Sequence, residues 1–107
     1  MIFISKYIVP KGFVGLTLYP FIFLRDKTLK EDTTLINHER IHLKQQLELC
    51  VLAFYLWYLI EWFIKILIYK NAFSAYKNLS FEREAYLNEN NLDYLTTRKN
   101  WAFINYL

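Results

Sequence analysis

Glycine and proline are nearly missing from this chain: two of each in 107 residues, all at Pro10, Gly12, Gly15 and Pro20. Everything after Pro20 lacks the strongest backbone breakers, so helix is expected to dominate from there on. Cysteine is down to one, Cys50, which excludes an internal disulfide. Set in an apolar run, it is expected to behave as a small buried hydrophobe in a reducing compartment. No sign of charge prevails strongly: 13 Lys and Arg against 10 Asp and Glu leave +3, scattered along the chain, which argues against nucleic acid as a partner. Residues 1–13 lack a cationic segment ahead of a long apolar stretch, with Ser5, Lys6 and Pro10 as interruptions. That pattern is not the one expected of a signal peptide, and the expected location is the cytoplasm or a membrane surface facing it.

What is present is apolar bulk. Hydrophobic residues make up 55% of the chain and aromatics 20%, which excludes a disordered polymer, and the length suits a single domain over 1–107. Residues 2–9 and 13–19 are rich in β-branched and aromatic side chains around Pro10-Lys11-Gly12, the pattern of two strands joined by a turn, with 21–25 as a third. Residues 25–32 are polar and read as a loop, and Asp32, Thr33 and Thr34 suit the start of a helix. The expected fold class is α+β: a short antiparallel sheet over 1–25, then a mainly helical region over 33–107. A second helix is expected over roughly 72–90, and Trp101, Phe103 and Ile104 are expected to anchor the C-terminal end.

The two histidines stand as His38-Glu39-Arg40-Ile41-His42. On a helix, i and i+4 share a face, so both imidazoles can reach one Zn²⁺ while Glu39 is displaced toward a metal-bound water. Shuffling would produce this arrangement on the order of once in a thousand sequences. A catalytic zinc also needs a third protein ligand, and with no histidine left a carboxylate must serve. Glu82 in Phe81-Glu82-Arg83-Glu84-Ala85 suits best, with small Ala85 permitting close helix approach. Glu84 is about 200° around a helix from Glu82, so only one of them can take that place.

HExxH on one helix and Glu-x-x-Ala on a later one resemble the gluzincin metallopeptidases, and the length is similar to the single-domain minigluzincins. The stretches 38–45 and 81–86 also resemble a group of short bacterial HExxH proteins. The resemblance implies a zincin-like fold acting on peptide or protein substrates, with His38, His42 and Glu82 as zinc ligands and Glu39 as general base. Many gluzincins carry an Asp four residues after the ligand Glu, where this chain has Tyr86; Glu89, one turn further on, is the candidate to orient an imidazole. Tyr86, Tyr94 and Arg83 are candidates to stabilise an oxyanion, and an exposed sheet edge could pair with a substrate strand.

Residues 49–60 are uncharged, and 49–69 is the stretch most like a membrane span. Glu61 and Lys65 stand at the i, i+4 spacing of a solvated ion pair. A straight span would put His42 and Glu82 on opposite sides of a ~30 Å hydrocarbon layer. A shared metal ion therefore predicts a bend between Gln46 and Asn71 within a kinked or broken apolar helix whose outer side can touch a membrane surface. The alternative is a non-catalytic membrane-associated or partner-binding protein with structural histidines.

Overall fold

A computed structural model describes all 107 residues. The architecture is α+β, as expected: a three-stranded sheet at the N-terminus followed by helices. Strands β1 (Ile2–Ile4), β2 (Gly15–Leu18) and β3 (Phe21–Leu24) lie in the order β1-β3-β2. The first two strands do not form the hairpin that Pro10-Lys11-Gly12 suggests. Strand β2 instead turns back antiparallel onto β3, and β1 runs parallel to β3 on the other edge. The strand expected over 2–9 stops early because the Ser5 hydroxyl accepts the Tyr7 and Ile8 N–H groups, a local turn that competes with the ladder. The loop that follows is gathered by Arg25, whose guanidinium donates to the carbonyls of Val9 (2.7 Å), Pro10 and Phe13 (2.9 Å).

Helix α1 spans Thr33–Glu48, and its start is set by Asp32, whose carboxylate accepts the Leu35 N–H at 3.0 Å. The polar stretch before it is a 3₁₀ turn, Lys27–Glu31, rather than an irregular loop. The chain then reverses at Cys50 and Val51, both at positive φ (55° and 58°), and continues as α2, Leu52–Tyr69. Lys70, in the left-handed conformation, ends α2. The reversals thus fall at the ends of the apolar helix, which is itself unbroken. Non-glycine residues accept this backbone at a cost of about 1–2 kcal/mol each. Cys50, expected inside, is exposed because the turn lifts it off the helix face.

The single helix expected over 72–90 is two: α3, Ala72–Lys77, and α4, Ser80–Asn88. Asn78 closes α3, with its side-chain amide on the Ser74 carbonyl at 2.8 Å, and extended, buried Leu79 separates the two. The start of α4 is capped from a distance. Glu61 on α2 accepts the Ser80 N–H and hydroxyl, both at 2.6 Å, which satisfies donors that the helix leaves free and places an acid at its positive end. Glu61 is therefore buried rather than half of a solvated pair, although Lys65 lies 3.6 Å from it.

Packing follows from these ends. Leu49, Phe54, Phe81 and Phe103 form the aromatic core cluster, flanked by Tyr55, Trp57 and Tyr58. Fully buried Ala85 sits on α4, which packs on α1. After a short helix α5, Tyr94–Thr97, the tail ends in a 3₁₀ turn, Ala102–Tyr106, anchored by Phe103. Trp101 and Ile104 each remain 44% exposed, because only Ala102 and Phe103 of that turn face inward.

Candidate metal centre

Helix α1 presents His38 and His42 one turn apart, and α4, docked on it, brings Glu82 between them. The His38 and His42 Nε2 atoms are 3.2 Å apart, Glu82 Oε1 is 3.2 Å from His42 Nε2, and it is 3.4 Å from His38 Nε2. All three residues are buried. Bonds of about 2.0–2.1 Å in a tetrahedron put neighbouring ligand atoms about 3.3–3.4 Å apart, so the observed triangle fits one face of such a polyhedron. The three residues form a group that could hold a metal ion.

The choice between Glu82 and Glu84 is settled by position. Glu84 is fully buried on the far side, accepting from Gln45 Nε2 at 2.8 Å and Tyr94 Oη at 2.7 Å, and it is also bound by the Arg98 guanidinium. Arg98 in turn holds Glu48 in a bidentate pair at 2.8 and 3.0 Å. That network governs His42. Both amide hydrogens of Gln45 are taken by acceptors, Glu84 and the Phe81 carbonyl at 3.1 Å, so its oxygen must face His42 Nδ1, 2.8 Å away. Nδ1 therefore carries hydrogen, and Nε2 faces His38 and Glu82.

Around His38, the Tyr86 ring stands edge-on with centroids 4.5 Å apart, and Glu89 Oε1 lies 3.5 Å from Nδ1, near enough for charge but long for a hydrogen bond. Asn37 fixes this end of the α1–α4 contact, donating to the Glu89 and Asn91 carbonyls at 2.9 and 3.0 Å. The other two oxyanion candidates point elsewhere. Tyr94 is committed to Glu84, and Arg83 donates to the Tyr106 carbonyl at 2.8 Å.

Glu39 is buried on the same cavity wall, one residue past His38, against β2. Thr17 Oγ1 donates to its carboxylate at 2.7 Å. A Cβ at Gly15 would lie 3.0 Å from Glu39 Oε2, tighter than ordinary contact, so the glycine lets the carboxylate sit close against β2. The cavity, about 740 Å³, is lined by Glu39, the two histidines and Glu82 together with Phe54, Tyr58, Trp62 and Tyr76. Burial first, then the Glu82 charge, pushes the Tyr76 hydroxyl well above its ordinary pKa, so it keeps its proton; it lies 3.4 Å from the Tyr86 hydroxyl. Thr17, Gly15, Gln46, Glu61 and Tyr76 carry no motif, and their parts follow only from the packing. Gln45 differs in standing at i+3 from His42, so helical spacing alone puts it on the histidine face.

Burial works against charge on His42, but the Glu82 carboxylate outweighs it and raises the imidazole pKa from 6.5 to about 9. Burial likewise opposes ionised Glu82, yet His42 and His38 bring it down to about 2. A raised base contributes stability that is complete below pH 6.5 and fades as pH rises through about 9; a lowered acid contributes stability that is complete above pH 4.5 and is lost toward pH 2. With chelator present, the thermal midpoint is accordingly expected to fall between pH 6.5 and 9. Scanning calorimetry across that window checks this, and a midpoint that holds level would show that the pair is not formed.

No protein-family model, curated protein or solved structure matches the chain.

Proposed function

We propose that this protein is a zinc-dependent peptide hydrolase of the gluzincin type, with His38, His42 and Glu82 as zinc ligands and Glu39 as general base. The observation that carries the reading is the triangle of three buried donor atoms, 3.2–3.4 Å on a side, with a second buried acid, Glu39, sharing its cavity. Two imidazoles and one carboxylate leave a fourth position for water, the donor set of catalytic rather than structural zinc. Bound zinc would supply a water of lowered pKa and would polarise the carbonyl under attack.

The chain's own groups account for the rest. Glu39, oriented by Thr17 and shielded by β2, accepts the proton of the attacking water and returns it to the leaving amine. Gln45 keeps the His42 ring in the tautomer that offers Nε2. Tyr86, whose ring stands against His38, and Tyr76, whose hydroxyl lies 3.4 Å from that of Tyr86, are still protonated and can donate to negative charge developing on the carbonyl oxygen. Substrate alignment falls to β2. The Val14 carbonyl accepts the Arg25 N–H at 2.9 Å, so alternation turns the Gly15 and Thr17 peptide groups away from β3. Gln46 occupies part of that edge, donating to the Thr17 carbonyl (2.8 Å) and accepting the Tyr19 N–H (2.7 Å). What remains for an extended peptide is Gly15 and the Thr17 N–H, a short edge that suits few residues.

The test is zinc content after dialysis against trace Zn²⁺, together with cleavage of an unbiased set of quenched fluorescent peptides. About one zinc per chain with cleavage is expected. A protein that retains no zinc loses the whole reading, and one that holds zinc without cleaving any peptide is a metal-binding domain instead.

A further inference from the structure

Helix α2 is turned inside out relative to a core helix. Its inner face holds a buried carboxylate, Glu61, whereas Leu52, Leu56, Ile60, Phe63 and Leu67 make an outward stripe, each between 53% and 82% exposed. Every exposed residue from Leu52 to Ile68 is aliphatic or phenylalanine, so this face offers no hydrogen bond along 17 residues. The helix is long and apolar enough to cross a bilayer, with only 11% of it buried. What packs beside its middle opposes spanning. Glu61 caps Ser80, Trp62 Nε1 donates to the Ala72 carbonyl at 3.0 Å, and Lys65 Nζ donates to the Asn78 carbonyl at 2.7 Å. In a spanning orientation that polar connection would lie in hydrocarbon.

The C-terminal end of the stripe is aromatic and cationic, and the other end is aromatic. Exposed Tyr69 and Lys70 close the C-terminal end. Toward the other end, Trp57 packs edge-on against Phe103, which touches half-exposed Trp101, two residues from exposed Lys99. A protein interface carries a polar rim and about one hydrogen bond per 100–200 Å², which this face cannot supply. Aromatic rings bracketing an apolar stripe, with lysines near them, match the headgroup and acyl layers of an anionic bilayer. Leu59 and Phe73, both more than half exposed, also line the cavity, so its mouth opens at the edge of the stripe.

We propose that α2 seats this protein in the surface of an anionic phospholipid bilayer, helix axis in the membrane plane, with the cavity mouth at the lipid boundary. The experiment is co-sedimentation of the full chain with vesicles of phosphatidylcholine and phosphatidylglycerol, and with phosphatidylcholine alone. Wild type is expected to partition onto the mixed vesicles. Leu56→Glu with Phe63→Glu should weaken that partition at least about tenfold, since both substitutions oppose burial in the acyl layer, while circular dichroism and zinc content stay as in wild type. Lys70→Glu with Lys99→Glu should weaken binding to the mixed vesicles only. The proposal is overturned if wild type remains in the supernatant, or if the Leu56/Phe63 variant binds as well as wild type. It is equally overturned if lipid-free wild type is a dimer that this variant disperses while vesicles capture neither. Should the Leu56/Phe63 variant unfold, the lysine variant and the two vesicle compositions decide alone.

Discussion

Replacing Glu39 by glutamine is expected to lower peptide cleavage by about 10²–10⁴-fold, the range that a positioned general base supplies, and to leave zinc in place. The change is nearly isosteric. Glutamine can still accept the Thr17 hydroxyl now 2.7 Å from the carboxylate, and it fits beside Gly15 without new atoms. None of the three ligand atoms belongs to residue 39, so the triangle should persist. What is lost is the ability to take a proton. Parallel measurement of zinc content and cleavage separates this from misfolding: an unchanged rate removes the catalytic role, and loss of zinc as well would show that Glu39 supports the cage instead.

Glu82→Ala is expected to weaken zinc binding by more than about 100-fold, beyond the 10–100-fold typical of groups that merely orient a ligand. It removes one of three donors and leaves the two imidazoles 3.2 Å apart without a carboxylate. The same variant should flatten the pH dependence of the metal-free protein, because Glu82 is the principal charge that raises His42 to about 9. Competition against a chromogenic chelator reads the affinity, and calorimetry with chelator reads the pH profile. Zinc retained at wild-type affinity would take Glu82 out of the ligand set.

Much of this arrangement was legible because it rests on local periodicity. His38 and His42 meet through helical spacing alone, Asp32 caps α1 as its residue type suggests, and small Ala85 lies buried where α4 docks. The choice of Glu82 needed a tertiary contact, since nothing local shows that Arg98, 14 residues beyond Glu84, comes back to claim that acid. Strand pairing failed for a similar reason: β1 finds its partner across an intervening strand, a long-range choice that β-propensity does not encode. The reversal at Cys50 and Val51 carries no Gly or Pro signal, and it was foreseen within the right interval only because a shared cation demanded that the chain return. Glu61 misled because its i+4 partner is real, while the helix end that it caps lies 19 residues away.

The grip of Arg98 and Tyr94 on Glu84 also ties the metal centre to a segment far along the chain. Arg98 anchors the acid that takes one amide hydrogen of Gln45, while the Phe81 carbonyl takes the other, and together they leave the Gln45 oxygen for His42. The setting of His42 therefore depends on residues remote from the motif as well as on the motif itself.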